Sequence, residues 1–169
     1  MGMEKVLFLD VDGVLNNNDT KECSPRGYVG IDDILLKRLS VIISKTNASV
    51  ILSSSWKDMS EDDEDWLYLV DKLKSIGVEI KDKTKVFLRP SRRGAGISAY
   101  LKRNPDIKDF VILDDFDFDF RVQGLYPHFV LTNAEIGITD DDVNKAIDIL
   151  NGKLNTIDYY DVFLGYQHE

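Results

Sequence analysis

The sequence predicts an α/β protein in which a parallel sheet of about five strands lies between two layers of helices. Short apolar runs alternate along the chain with segments whose apolar residues follow helical spacing. Runs that are apolar throughout are typical of parallel strands buried on both faces. No internal repeat, low-complexity tract or linker interrupts the series. We therefore expect one three-layer domain over residues 1–169.

The first half of the chain supplies two strand–helix units. Residues 6–11 and residues 50–52 are apolar runs that predict the first two strands. Residues 31–43 carry apolar side chains at helical spacing, which predicts a helix between these strands. Residues 66–76 repeat that spacing, and Gly77 stands where a helix is expected to end.

The second half continues the alternation. A short helix is expected around Ile97 and Tyr100, and a last helix from Thr139 to Gly152, because threonine favours a helix start and glycine a helix end. The other strands are expected at three short apolar runs: residues 78–80 or 86–88, residues 110–113, and residues 128–131.

Two segments do not fit the strand–helix pattern. Residues 115–120 alternate acidic and aromatic side chains directly after an apolar run, so we expect a loop or a helical turn there. Residues 155–169 are too aromatic for a disordered tail. We expect this C-terminal extension to pack on the body of the domain or to form an interface.

Composition and charge are those of an ordinary globular protein. Hydrophobic residues make up 43% of the chain and charged residues 30%. No apolar run approaches the roughly 20 residues that a membrane span needs, and we see no secretion signal, so we expect a cytoplasmic protein that binds no membrane. The formal net charge of −9 disfavours a stable complex with nucleic acid, because phosphate contacts drive such binding.

Two charged stretches interrupt this average. Residues 58–65 are mostly acidic, and we expect them to form a solvated face. Residues 81–93 carry six basic side chains, which are candidates for contacts with an anionic substrate.

Polar side chains follow the predicted strands at the edge where parallel sheets bind ligands, beyond the carboxyl ends. Four clusters from distant parts of the chain are expected to meet there: Asp10–Gly13 after the first strand, Ser53 and Ser54 after the second, Arg92 and Arg93 at the short helix, and Asp114 and Asp115 after the fourth.

The chemistry of these clusters is coherent. Asp10 and Asp12 are two residues apart, so in an extended strand their side chains point the same way, and one can attack while the other handles protons. Asp114 and Asp115 add oxygen ligands of the kind that Mg²⁺ binds. An anionic nucleophile that attacks a phosphate needs such a cation. Serine hydroxyls and an arginine can hold the remaining phosphate oxygens.

None of the clusters is specific by itself. Asp10–Gly13 alone also fits a turn or a fragment of a calcium loop. Val14, Leu15 and Asn16 follow it in place of the further ligands that a calcium loop requires, which excludes that reading. The four clusters together, three at strand ends and one at the start of the short helix, are a strong signal of phosphoryl chemistry.

In these motifs the sequence resembles the haloacid dehalogenase-like (HAD) superfamily. Its first motif is matched almost letter for letter by residues 7–16, LFLDVDGVLN. Residues 50–53 resemble its second motif, and residues 110–115 with Asp119 resemble its fourth, acidic motif. Residues 131–139 resemble the ending of a small HAD subgroup that is often fused to RNA-repair enzymes. The resemblance implies a Rossmann-like three-layer sandwich.

The resemblance also implies roles for these residues. Asp10 would form an aspartyl-phosphate, and Asp12 would protonate the leaving group and then activate water. Mg²⁺ would lie among the Asp10 carboxylate, the Asp12 backbone carbonyl and Asp114 or Asp115, of which Asp115 is favoured. The transferred phosphoryl group would be bound by a hydroxyl, Ser53 or else Ser54, and Asp119 would support the metal ligands from behind.

The sequence departs from the family pattern in two places. The third motif is normally a lysine, and Arg93 is the candidate to replace it, with Arg92 and Lys85 as rivals. An arginine at the surface is the ordinary alternative for Arg93. Residues 16–30 leave room only for a short flap, so minimal or no cap is expected and the site would be open.

These expectations describe a Mg²⁺-dependent phosphomonoester hydrolase, with a nucleotide or a nucleic-acid end as the phosphorylated substrate. Dehalogenation, the rival chemistry on this fold, needs neither metal nor an acid at the second position, and Asp12 argues against it. A phosphate- and metal-binding module with weak or no turnover is the other alternative, because the lysine is missing and the flap is short. The sequence gives no indication of the oligomeric state.

Overall fold

The computed structural model describes residues 3–85 and 92–156. Three features of the sequence lie wholly or mostly outside these residues: the alternative third strand at 86–88, Arg89 of the basic stretch, and the C-terminal extension.

Within the described residues the chain forms a five-stranded sheet in which all strands are parallel. The strands are Lys5–Leu9 (β1), Ser49–Leu52 (β2), Ile80–Lys83 (β3), Asp109–Asp114 (β4) and Phe129–Leu131 (β5). Their order is β3-β2-β1-β4-β5, so the winding direction reverses between β1 and β4. Such a reversal opens a crevice at the carboxyl ends of these two strands.

Helices cover both faces of the sheet. The helices are Asp33–Thr46 (α1), Glu64–Ser75 (α2), Arg93–Arg103 (α3) and Asp140–Leu150 (α4). On β1, Leu7 and Leu9 pack with apolar residues of α1, α2 and α4, whereas Val6 and Phe8 pack with α3. Each such fully buried side chain contributes about 1.5–3 kcal/mol. The predicted α/β sandwich with a parallel sheet is confirmed.

The third strand differs in position from its prediction. It covers Ile80–Lys83, not residues 78–80, because Val78 is buried before the strand begins and packs with the core. The strand itself is largely polar, with Lys81 and Asp82 exposed. Among the described residues it pairs with β2 alone, at the edge of the sheet, so burial does not require it to be apolar.

Two other strands are shorter than predicted. The first strand ends at Leu9, because the chain turns directly after Asp10. The fifth begins at Phe129, and His128 closes the preceding 3₁₀ turn. The His128 ring stacks on Phe110 with ring centroids 3.8 Å apart, so it packs against β4.

The predicted helices are all present, with shifted ends. The third begins at Arg93, so Gly94 and Gly96 lie inside it. Residues 115–120 form turns, as predicted, and carry no strand. Among the described residues, no helix combines the length and the apolarity that crossing a membrane requires.

A reciprocal cap holds the start of α4. The Thr139 hydroxyl accepts a hydrogen bond from the Asp142 backbone N–H at 3.1 Å, and the Asp142 carboxylate accepts one from the Thr139 N–H at 2.9 Å. We expect Thr139→Ala to lower the free energy of unfolding by about 1 kcal/mol. Urea denaturation measures this loss. Thr139→Ser keeps the acceptor and is the matched control, so equal stabilities of the two variants would contradict the assignment.

Candidate active site

The strand ends bring four of the predicted side chains to the crevice between β1 and β4. The Asp10 N–H donates to the Leu113 carbonyl at 3.0 Å, which extends the pairing of β1 with β4 by one residue. The Ser53 N–H donates to the Leu9 carbonyl at 3.0 Å and places Ser53 beside the end of β1. Asp114 is the last residue of β4.

Three carboxylates form a compact acidic cluster here. Asp10, Asp114 and Asp115 each offer an oxygen, and the three atoms lie within 4.8 Å of one another. The side chain of Asp114 is fully buried and that of Asp10 is 6% exposed. Asp115, which follows the end of β4, is half-buried. Oxygens in this arrangement are compatible with a bound Mg²⁺.

The turn after Asp10 is shaped to let Asp115 approach. Gly13 has φ +78°, and a Cβ atom added to it would overlap the Asp115 carboxylate. The turn is fixed from the opposite side by the segment after β5. There, the Thr132 hydroxyl donates to the Gly13 carbonyl at 2.8 Å, and the Ile138 N–H donates to the Val14 carbonyl at 3.0 Å.

Within the part of the chain that the structure describes, Arg93 is a cation in direct contact with the acidic cluster. Its Nη1 lies 2.6 Å from Asp114 Oδ2 and 3.1 Å from Asp10 Oδ1, and its side chain is 11% exposed. The surface alternative for Arg93 is therefore wrong. Of its two rivals for the place of the missing lysine, Arg92 and Lys85 are both exposed.

Asp119 and Phe118 hold Arg93 in place. The Asp119 carboxylate accepts hydrogen bonds from the Gly94 and Ala95 N–H groups, so it caps the first turn of α3. The Arg93 guanidinium lies over the Phe118 ring, 4.4 Å from its centroid. Asp119 thus acts on the site through the helix that carries Arg93.

The charges in the cluster are unbalanced. Burial raises the pKa of Asp10 to about 6, against the opposing effect of Arg93, and the charge of Asp115 raises it further. Burial also raises the pKa of Asp114 well above its ordinary value, together with the charge of Asp10. One guanidinium thus does not compensate these carboxylates. A divalent cation would supply the missing positive charge.

The two serines after β2 have different environments. The Ser54 hydroxyl accepts a hydrogen bond from the Trp56 N–H at 3.2 Å and caps a 3₁₀ turn. The Ser53 hydroxyl is buried and has no hydrogen-bond partner among the described residues. A buried hydroxyl without a hydrogen-bond partner lowers the stability of the fold unless a bound ligand supplies that partner. Ser53 is therefore the better candidate to bind a phosphate oxygen.

Asp12 is not one of the three carboxylates of the acidic cluster, although its charge acts on Asp10. The expectation that Asp10 and Asp12 point the same way rested on a strand extended through both residues, whereas the strand ends at Leu9. The Asp12 carboxylate instead accepts hydrogen bonds from Asn16 Nδ2 at 2.9 Å and Trp56 Nε1 at 3.0 Å. These bonds hold Asp12 toward the flap side of the site.

Sequence reasoning missed three residues of this site. Trp56 and Asn16 orient Asp12, and Asn16 Oδ1 also accepts a hydrogen bond from the Gly13 N–H. Lys57 is half-buried, and burial lowers the pKa of its ammonium, which also interacts with the charges of Arg93 and Asp10. The position of Trp56 and Lys57 directly after the serine run was the available signal.

The acidic stretch is only partly a solvated face, which corrects the prediction for it. Asp65 is buried and accepts hydrogen bonds from the Ser24 hydroxyl at 2.9 Å and the Arg26 N–H at 3.0 Å. Asp63 caps α2 and forms an ion pair with Arg26 at 3.1 Å. Both carboxylates therefore anchor the flap of residues 16–30 to the start of α2.

The basic stretch does not form one surface around the site. Lys81 lines a hollow with residues at the opposite ends of the strands, among them Lys5 and Ser49. Lys83 lies over the ring of Trp66, with its Nζ 3.7 Å from the centroid. Among the residues of this stretch that the structure describes, Arg93 is the one shown in contact with the acidic cluster.

We expect Mg²⁺ to stabilise the fold through the acidic cluster. A metal at 100 times its Kd stabilises by about 2.7 kcal/mol, which raises the Tm of a domain of this size by about 5–10 °C. Because Asp10 with a pKa of about 6 binds protons that compete with the metal, the rise should shrink as pH falls from about 7.5 to about 5. Thermal denaturation with and without Mg²⁺ measures both effects.

Asp115→Asn should remove most of this rise, because it takes one charge from the cluster. Asp62→Asn, in the exposed part of the acidic stretch, is the matched control and should keep it. An equal rise in both variants would show that Mg²⁺ acts elsewhere.

Comparison with known proteins agrees with this geometry. A family model described as the HAD domain in Swiss Army Knife RNA repair proteins matches residues 6–143. No curated protein and no solved structure gives a significant match to the chain. The matched region includes the five described strands, apart from Lys5 of β1, and all the acidic motifs. At the level of the superfamily it indicates a phosphatase. The chain therefore belongs to the family of HAD domains found in Swiss Army Knife RNA repair proteins.

Proposed function

We propose that the protein is a Mg²⁺-dependent phosphomonoester hydrolase that acts through an aspartyl-phosphate. The observation that carries this proposal is the acidic cluster of Asp10, Asp114 and Asp115 at the winding reversal, with Arg93 in contact with two of its carboxylates. Bound Mg²⁺ would neutralise charge on the phosphoryl oxygens and on the cluster, held by these carboxylates and by the Asp12 carbonyl.

In the first step Asp10 is the nucleophile. Its carboxylate oxygen forms a bond to phosphorus while the bond from phosphorus to the leaving-group oxygen breaks. That oxygen takes a proton from Asp12. The hydrogen bonds of Asp12 to Trp56 and Asn16 support this role, because they fix the position of the carboxyl group.

In the second step water replaces the aspartyl oxygen. Asp12, now ionised, accepts a proton from the water, and the new bond from water oxygen to phosphorus displaces the Asp10 carboxylate. Inorganic phosphate leaves and Asp12 holds its proton again. The unpartnered Ser53 hydroxyl and the Arg93 guanidinium would bind the phosphoryl oxygens in both steps.

The substrate that we propose is a nucleotide or the phosphorylated end of a nucleic acid. Membership in a family named for RNA-repair proteins supports this class. The short flap also supports it, because residues 16–30 contain a single antiparallel bridge, between Cys23 and Val29, and no folded lid.

Asp10→Asn should abolish Mg²⁺-dependent phosphate release from a generic aryl phosphate, because an amide cannot form the aspartyl-phosphate. Release of inorganic phosphate measures the rate. Asp62→Asn is the control for a change of the same chemical kind outside the site, and it should keep the wild-type rate. Full activity of Asp10→Asn would refute the mechanism.

The same assay decides between the alternatives. Phosphate release that requires Mg²⁺ excludes dehalogenation as the main activity. A protein that Mg²⁺ stabilises but that releases no phosphate from any of a broad set of phosphomonoesters would instead be a binding module.

Arg93→Met should lower kcat by about 10²–10³-fold, the usual cost of removing one charge-stabilising donor. Lys57→Met should have a smaller effect, because the Lys57 ammonium donates to the Ser53 and Ser54 carbonyls at 3.5 and 3.3 Å. Arg92→Met and Lys85→Met should stay near the wild-type rate. The kcat of each variant is compared after its Tm has shown that it folds. If Arg92→Met or Lys85→Met lost more kcat than Arg93→Met, that residue and not Arg93 would take the place of the family's lysine.

A further inference from the structure

A groove of about 550 Å³ opens beside Asp12, between the flap and residues 55–65. This volume is within the range of small-molecule sites. Asp12 forms part of its wall, whereas the carboxylates of the acidic cluster do not. A group bound in the groove therefore lies next to the carboxylate that we assign to protonation of the leaving group.

The groove has an apolar wall that faces solvent. Tyr28 is 69% exposed and Val29 is 49% exposed, although both are large hydrophobic residues. Met59 is partly buried beside them, and Trp56 is buried beneath, where its ring N–H reaches Asp12. Exposed apolar side chains gathered at a groove mark a place where an apolar or aromatic group binds.

The loop that carries Tyr28 is held in position by its own hydrogen bonds. The Tyr28 carbonyl accepts a bond from the Ser24 N–H at 2.8 Å, and the Tyr28 N–H donates to the Ser24 hydroxyl at 3.2 Å. That hydroxyl donates in turn to the buried Asp65. Because the loop is ordered before binding, a ligand that stacks on Tyr28 loses little affinity to ordering.

The charge of the groove is negative. Its wall includes the carboxylates of Asp12, Asp63 and Asp65, and one guanidinium, Arg26, which is paired with Asp63. The exposed acids of residues 58–64 flank it. Additional phosphates of a polynucleotide would meet like charge here, within the Debye length of about 8 Å at physiological salt.

We propose that this groove binds the nucleoside of a nucleoside monophosphate, and that the protein hydrolyses mononucleotides in preference to phosphorylated strand ends. The proposal rests on the proposed function and selects between its two substrate classes. The base stacks on Tyr28, and its amino groups or the ribose hydroxyls donate to the partly exposed Asp63 carboxylate. Water is the second reactant, and the products are the nucleoside and inorganic phosphate.

The test compares kcat/KM for five substrates: adenosine 5′-monophosphate, adenosine 3′-monophosphate, a short oligoadenylate with a terminal phosphate, phenyl phosphate and glycerol phosphate. The preferred mononucleotide should exceed phenyl phosphate and glycerol phosphate by about tenfold, the gain expected from stacking one base. It should also exceed the oligoadenylate, whose additional phosphates meet the acidic groove. Added salt should lower the ratio of kcat/KM for the mononucleotide to kcat/KM for the oligoadenylate, because salt screens the charge of the acidic groove. An oligoadenylate or phenyl phosphate hydrolysed as fast as the mononucleotide would overturn the proposal.

Two pairs of variants separate stacking from charge. Tyr28→Ala should lower the ratio of mononucleotide to glycerol phosphate kcat/KM about tenfold, while Tyr28→Phe, which retains the ring, should preserve it. Asp63→Ser keeps a helix cap but removes a groove charge, so it should raise the ratio of kcat/KM for the oligoadenylate to kcat/KM for the mononucleotide. Asp62→Ser, outside the groove wall, is its matched control. Equal effects within either pair would overturn the corresponding contact.

Binding of unphosphorylated adenosine distinguishes failure of this proposal from failure of the proposed function. Isothermal titration measures it for the wild type and for Tyr28→Ala. Suppose that no substrate is hydrolysed, but that the wild type binds adenosine and Tyr28→Ala does not. The groove assignment then stands and the hydrolase proposal fails. If glycerol phosphate is hydrolysed but adenosine does not bind, the hydrolase stands and the groove assignment fails.

Discussion

Charge compensation at the winding reversal of the sheet is the constraint on which this site depends. Parallel strands β1 and β4 end side by side, so the residues that follow them bring Asp10, Asp114 and Asp115 together. Arg93 contacts two of these groups but does not balance all of them. The cap that Asp119 provides and the stacking of Phe118 both serve to fix that one guanidinium. The same excess of negative charge makes the crevice suitable for a divalent cation.

The first acidic turn is held by parts of the chain that lie far away in sequence. The segment after β5 bonds to the carbonyls of Gly13 and Val14, and Asn17 Nδ2 bonds to the Ile136 carbonyl at 3.0 Å. This is the segment whose resemblance pointed to the RNA-repair subgroup. This segment forms hydrogen bonds to the turn that carries Asp10 and Asp12. Those contacts explain why its sequence would occur together with that of the first motif.

The fold and the members of the acidic cluster were predictable because they depend on local patterns. A buried apolar run gives a strand, and the residue after the strand is then at the ligand-binding edge. Contacts formed through side-chain packing were not predictable in this way. The division of labour between Ser53 and Ser54, the bond from Trp56 to Asp12, and the anchoring role of Asp65 depend on which atoms meet in three dimensions. The position at residues 78–80 for the third strand was wrong because an edge strand needs no apolar run.

The polar character of that edge strand has a consequence for association between molecules. An edge strand exposes unpaired backbone donors and acceptors, and a flat apolar edge invites another sheet to pair with it. On β3, Lys81 and Asp82 are exposed and Lys83 is drawn over the ring of Trp66. A second copy aligned on this strand would have to desolvate these charges. The residues that made β3 hard to recognise in the sequence therefore protect the sheet against edge-to-edge aggregation.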